Sequence, residues 1–259
     1  MKSSLSYLLF ISCLLLFSAI SSLSASGVSG NTTTTTEVAN TPSVAITHAE
    51  WDYLLKKYVS AEGKVNYPGL KQDKAKLEVY LKKLSTNPPA ADWSSKDKLA
   101  YWINVYNAFT VKLIVDNYPL KSIRDLGEPW DKKFILIGSK TYSLNEVENQ
   151  IIRKEFAEPR IHFAVNCASF SCPALLNEAF TGDKLEDQLT RQTKAYINNP
   201  AHNTISANKA QVSQLFSWYA DDFKKSAGSV SAFINKYSTM KIKDDSKLEY
   251  KDYGWNLNE

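Results

Sequence analysis

Sulfur and imidazole are scarce in this chain of 259 residues, which holds three cysteines, three histidines and two methionines. Neither an H-E-x-x-H pair nor paired C-x-x-C knuckles occur, so the familiar zinc spacings are missing and no metal is expected. A P-loop and a G-x-G-x-x-G turn are also missing, and with them the usual phosphate cradles, so no cofactor is expected. The lack of G-x-S-x-G removes the serine nucleophile elbow. Lysines and acids are interspersed at a formal net charge of +4. No basic block or arginine-rich stripe stands out, which argues against nucleic acid as a partner. Past the N-terminus no run is apolar enough to span a bilayer, so no transmembrane anchor is expected.

What is present begins with an export-like leader. Lys2 supplies a positive start, residues 7–20 are nearly all apolar, and Ser24-Ala25-Ser26 offers small residues for cleavage, giving a signal peptide over residues 1–26. Cys13 lies inside that run and would leave with it, as would the charge of Lys2. The mature protein is therefore expected to be soluble and exported, periplasmic or secreted. Residues 27–44, with five threonines from Thr32 to Thr36, bury little and read as a disordered linker. Residues 45–259 keep a globular pattern and read as one domain.

Amphipathic spacing predicts helices over residues 48–59, 70–84 and 95–117, the last apolar on every side and so buried. Residues 134–137 and 140–143 flank Gly138-Ser139 as a hairpin, and Ser143 with Glu146 forms a capping box for the next helix. A short helix near 173–180 and a longer one from 185 to 198 follow. Residues 204–206 and 211–213 form a second hairpin, then come helices near 214–224 and 229–236 and a tail that alternates like a strand. The expected class is α+β: mainly helical, with a small antiparallel sheet built from two hairpins, a central strand and a C-terminal strand.

That central strand is the segment 161–166. Ile161, Phe163 and Val165 alternate with Arg160, His162 and Asn166, so one face is apolar and the other polar, with Cys167 at the strand's end. Two readings of Cys167 and Cys172 lead, and a third, a reversible dithiol, is weakened by a C-x4-C spacing where redox pairs use C-x-x-C. In an exported protein they form a structural disulfide, worth roughly 2 kcal/mol for so short a loop. Alternatively Cys167 is a thiolate nucleophile at a strand-to-helix turn, with His162 as general base. Glu148 falls inside an apolar helical stripe and needs a partner, with Arg153, Arg160 and His162 as the candidates. Asn104 and Asn107 share a face of the buried helix, where they either tie it to a loop or orient a ligand. His48 and His202 read as solvated.

The strings YWINVYNAFT (101–110), SLNEVENQIIR (143–153), PRIHFAVNCASFSCP (159–173), LFSWYADDF (215–223) and YGWNLN (253–258) resemble the domain of unknown function 547. The resemblance implies no assigned activity. Carried over by motif, it points to Trp102, Asn104, Asn107, Glu148, Arg153, Arg160, His162, Asn166, Cys167 and Cys172. The expected site is one polar pocket with Cys167, His162 and Glu148 as catalytic candidates. Arg160, Asn166, Asn104, Asn107 and Trp102 would bind a small-molecule or peptide-like ligand. The expected chemistry is that of a thiol-dependent hydrolase or acyl transferase. The alternative is a non-catalytic, envelope-associated binding module held by a Cys167–Cys172 disulfide.

Overall fold

A computed structural model of the chain describes residues 43–206, 208–243 and 246–259. The expected leader (1–26) and all of the expected linker (27–44) except Ser43 and Val44 lie outside the described residues. Helix α1 (Ala49–Tyr58) is followed by α2 (Tyr67–Gln72), whose second residue is proline. Proline sits readily there, because a first-turn N–H has no intrahelical partner. Tyr67-Pro68 thus opens a helix. Helices α3 (Lys74–Thr86) and α4 (Ser95–Asn117) pack on one another, and α4 is buried along fifteen of its residues as its all-round apolar pattern requires.

Strands β1 (Ile135–Ile137) and β2 (Lys140–Tyr142) form the expected hairpin. Gly138 at the turn takes φ +60°, which costs a residue without Cβ nothing. The capping box also forms: Ser143 Oγ accepts from the Glu146 N–H at 3.1 Å, and Glu146 Oε2 accepts from the Ser143 N–H at 2.9 Å. The helix it opens is π-type over Glu146–Ile152 and passes into α5 (Arg153–Phe156).

The expected central strand over 161–166 is not one. Pro159–Phe163 forms a 3₁₀ helix, started by Pro159 in its first turn and by Glu158, whose side chain accepts from the Arg160 N–H. Every residue from Ile161 to Asn166 is buried. A half-exposed strand buries every second residue; a 3₁₀ turn sends three successive side chains three ways. Ile161 and Val165 enter a large core cluster around α4, whereas Phe163 enters a second one. That second cluster is built from α6 (Leu185–Ile197), β4 (Ala210–Ser213), α8 (Ala220–Ala227) and α9 (Val230–Tyr237). His162 sits at the seam between the two.

The helix expected over 173–180 also fails to form. Side-chain amides bond that segment's backbone instead: Asn166 Nδ2 to the Pro173 carbonyl, Gln192 Nε2 to Ala174, Gln188 Nε2 to Ala179 and Asn104 Nδ2 to Phe180. Strand β3 (Thr204–Ile205) pairs with β4 as the second hairpin. β5 (Leu248–Lys251) then joins β4 in parallel, so this sheet is mixed and not wholly antiparallel. The helix expected over 214–224 is interrupted at Tyr219, between α7 (Leu215–Trp218) and α8. Beyond β5 the chain leaves the sheet and runs as a strap. Its backbone bonds Phe170 to Asn256, Ser171 to Gly254, Ala168 to Asn258 and Lys121 to Leu257.

Candidate active site

Segments far apart in sequence line a cavity of about 300 Å³: the π-helix, the 162–173 stretch, the α7–α8 break and the strap, joined by Tyr106 of α4 and by Trp130. Cys167 and Cys172 are free thiols on its wall. Their Sγ atoms lie 3.0 Å apart, and the Cys167 N–H donates to Cys172 Sγ at 3.0 Å. Ser169 Oγ lies 3.1 Å and the Tyr253 hydroxyl 3.6 Å from Cys167 Sγ. When Cys167 ionises, the Cys172 thiol donates to it, and this is the main reason its pKa falls from 9.0 to about 7. Burial opposes the fall, while the Ser169 and Tyr253 hydroxyls assist it. Burial first, then the hydrogen bond to Cys167 and that residue's charge, raises the Cys172 thiol, so Cys172 keeps the shared proton. No helix follows Cys167, so the activation expected from helix amides comes from side-chain donors instead.

His162 is buried, with Nε2 2.7 Å from Asp222 Oδ2 and its ring stacked on Tyr219 at 3.7 Å. Burial lowers its pKa more than Asp222 and Glu148 raise it. Asp222 itself is held below the usual carboxylate range by the His162 hydrogen bond, against some burial, and then by Arg153. A neutral imidazole donating Nε2–H to an ionised Asp222 satisfies both shifts. The lone pair then resides on Nδ1, which is buried without a hydrogen-bond partner among the described residues. Arg153 grips Asp222 with Nε and Nη2 at 2.8 and 3.0 Å and fixes its orientation.

Glu148 lines the same cavity, but its partner is none of the three expected. Glu148 Oε1 accepts from the Tyr219 hydroxyl at 2.6 Å. Arg153 is occupied by Asp222 and Asn149, and Arg160 lies elsewhere, bonded to Glu158 and Glu186. Asn104 bonds both backbone groups of Phe180, through Nδ2 to its carbonyl and Oδ1 to its N–H. Asn107 likewise links the Ala164 carbonyl and the Asn166 N–H. Asn166 Nδ2 donates to Pro173, and Trp102 packs edge-on against Tyr101 and Tyr142. Of the eight expected site residues, the structure brings Cys167, His162 and Glu148 to the cavity wall. Arg160, Asn166, Asn104, Asn107 and Trp102 are not on it.

The other two histidines are not solvated as expected. His48 is buried, its Nδ1 2.7 Å from the Tyr80 hydroxyl, and His202 stacks on Tyr196 at 4.7 Å.

Asp222, Tyr219 and Tyr253 were missed by the sequence reading, although all three stand in quoted motifs. A clue lay in LFSWYADDF, where Asp222 stands directly before the buried Phe223. Among the described residues no group of three or more His, Cys, Asp or Glu side chains could hold a metal ion. No helix of the described residues is long and apolar enough to cross a membrane.

No curated protein and no solved structure matches the chain. The motifs at 215–223 and 253–258, which supply Tyr219, Asp222 and Tyr253, fall outside the stretch that a family model does match. That stretch, residues 90–197, matches the family described as Protein of unknown function, DUF547, in line with the resemblance read from the motifs over the region carrying Glu148, His162 and both thiols.

Proposed function

We propose that this is a cysteine-dependent hydrolase or acyl transferase, with Cys167 as nucleophile and the His162–Asp222 pair as acid–base. The observation that carries the reading is the pair of thiols 3.0 Å apart that depresses Cys167 to about 7 on the wall of a cavity shared with His162. Among the described residues no hydrogen bond joins the imidazole to Cys167. The neighbouring thiol therefore activates the nucleophile, and His162 serves the water. The Cys167 thiolate attacks the acyl carbon, the leaving group departs as its anion and takes a proton from solvent, and a thioester remains. Water then attacks, the neutral imidazole takes its proton at Nδ1, the thiolate is expelled, and the imidazolium returns that proton to solvent. Incubation with p-nitrophenyl acetate followed by peptide mass mapping tests this. One acetyl group on Cys167, and no ester turnover in Cys167→Ala, is the expected result; equal turnover in that variant refutes the reading.

A second reading is favoured by the same thiol contact. Loss of two electrons and two protons to an external oxidant joins Cys167 to Cys172 and leaves a non-catalytic binding module. Export, supported by Lys2, the apolar run and the small residues before about Gly27, would place the chain where such oxidation occurs. N-terminal sequencing and the non-reduced mass of the secreted protein test this reading together. An intact N-terminus or a dithiol mass refutes it.

A further inference from the structure

The cavity wall beside the thiols carries a chemical bias that an acyl-transfer site as such does not need. Trp130, Trp218, Tyr253 and Trp255 form a continuous aromatic panel, with ring centroids 4.7 to 6.0 Å apart along it. Tyr106 and Tyr219 add two more rings to the same cavity. No lysine or arginine is among its lining residues. The carboxylate on the wall is that of Glu148, a residue only 6 % exposed. Only a neutral hydroxyl, that of Tyr219, bonds it. Its Oε2 has no partner among the described residues. Arg153, the cation that interacts with it, gives its donors to Asp222 and Asn149.

A carboxylate on a cavity wall whose one hydrogen bond comes from a neutral hydroxyl, and whose nearby cation spends its donors elsewhere, keeps an oxygen open to a donor on a ligand. Aromatic faces carry negative electrostatic potential and attract cations. Ionisation of Cys167 adds to the negative field. We infer that the cavity binds a primary ammonium group of its ligand, with Glu148 Oε2 as counter-ion and hydrogen-bond acceptor and the aromatic panel as the remaining wall. A primary ammonium is favoured over a quaternary one because an open carboxylate oxygen calls for an N–H donor. The inference rests on the proposed site being the functional one, but not on Cys167 reacting.

Wild-type protein titrated with butylammonium, and separately with its neutral counterpart butanol, tests this by calorimetry and tryptophan fluorescence. Saturable binding of butylammonium at least about tenfold tighter than butanol is expected. Glu148→Gln should weaken butylammonium by roughly tenfold or more and leave butanol within about twofold. Trp218→Ala, at a ring 49 % exposed and therefore tolerant of replacement, supplies a second variant should Glu148→Gln not fold. It should weaken butylammonium about threefold or more. Equal affinities for the two probes, no binding of either, or butylammonium binding indifferent to whichever variant folds overturns the inference. Cys167→Ser separates the two proposals: it should still prefer butylammonium to butanol, with some loss of affinity as the thiolate charge goes, while losing acetyl transfer. Acetylation of Cys167 without ammonium preference sinks this inference alone, and ammonium preference without acetylation sinks only the catalytic reading.

Discussion

Replacing Cys172 with alanine removes the largest cause of Cys167 acidity and tests the thiol pair directly. With its pKa at about 7 in place of 9.0, Cys167 is about half thiolate at neutral pH, against about one per cent for an ordinary thiol. The nucleophile population thereby rises roughly fiftyfold. A less basic thiolate attacks more slowly, and a Brønsted slope of about 0.45 over two units returns roughly eightfold of that gain. Iodoacetamide should therefore modify Cys167 roughly sixfold faster than an unperturbed thiol at neutral pH, on a rate profile that levels off above about pH 7. In Cys172→Ala burial becomes the largest remaining influence, opposed by the Ser169 and Tyr253 hydroxyls, so the midpoint should rise by about one unit or more. Cys172→Ser restores a donor and should fall between. Mass mapping assigns the label and a thermal melt confirms folding. A wild-type midpoint near 9, or one unmoved by Cys172→Ala, refutes activation by the neighbouring thiol.

Asp222→Asn should lower acetyl turnover by about a hundredfold or more, because an amide no longer fixes the imidazole tautomer. The midpoint of Cys167 alkylation should stay put, and movement of both would place Asp222 in the thiol's own activation. Asn107→Ala strands the Ala164 carbonyl and the Asn166 N–H, and at about 1–3 kcal/mol per buried group chemical denaturation should report a loss of about 2–6 kcal/mol. A loss below about 1 kcal/mol would mean water replaces the amide. Stability should fall on acidification from about pH 6.5. His48 is held at about 4 by burial and then by Lys83, and burial also lowers His162. Both stay neutral in the fold, so the unfolded chain binds protons first and the loss accrues as pH drops toward 4. For His48 the shift from 6.5 to about 4 corresponds to about 3 kcal/mol. Urea unfolding of wild type and His48→Gln across that range should show a shallower slope in the variant.

Much of the helical frame was legible because burial acts through periodicity: α4 reads as an all-round apolar helix and is one. The Ser143–Glu146 box and the Gly138-Ser139 hairpin were legible because a cap and a left-handed turn each demand particular residue types. The 161–166 segment misled, since its alternation of apolar and polar residues looks like a half-wet strand. There the polar members are buried too, and Pro159 had already fixed the first turn. Cys167, His162 and Glu148 were recoverable as polar residues in apolar settings. Asn104, Asn107 and Asn166 carry that same signature and serve the backbone, because local pattern does not say which polar group meets a carbonyl and which meets a cavity. Their partners come from loops that have no periodicity to read.

The late segments that complete the cavity, the α7–α8 break and the strap beyond β5, have a consequence for how the protein reaches its working state. His162 meets a residue 60 positions on, Glu148 one 71 on, and Cys167 one 86 on. Closing loops of that span is slow and follows local helix formation. Reactivity at Cys167 should therefore be among the last properties acquired on refolding, arriving after the bulk of the helical signal. A fragment limited to residues 90–197 would keep the nucleophile but lack Tyr219, Asp222 and Tyr253, and should behave as an ordinary thiol in an unfinished shell.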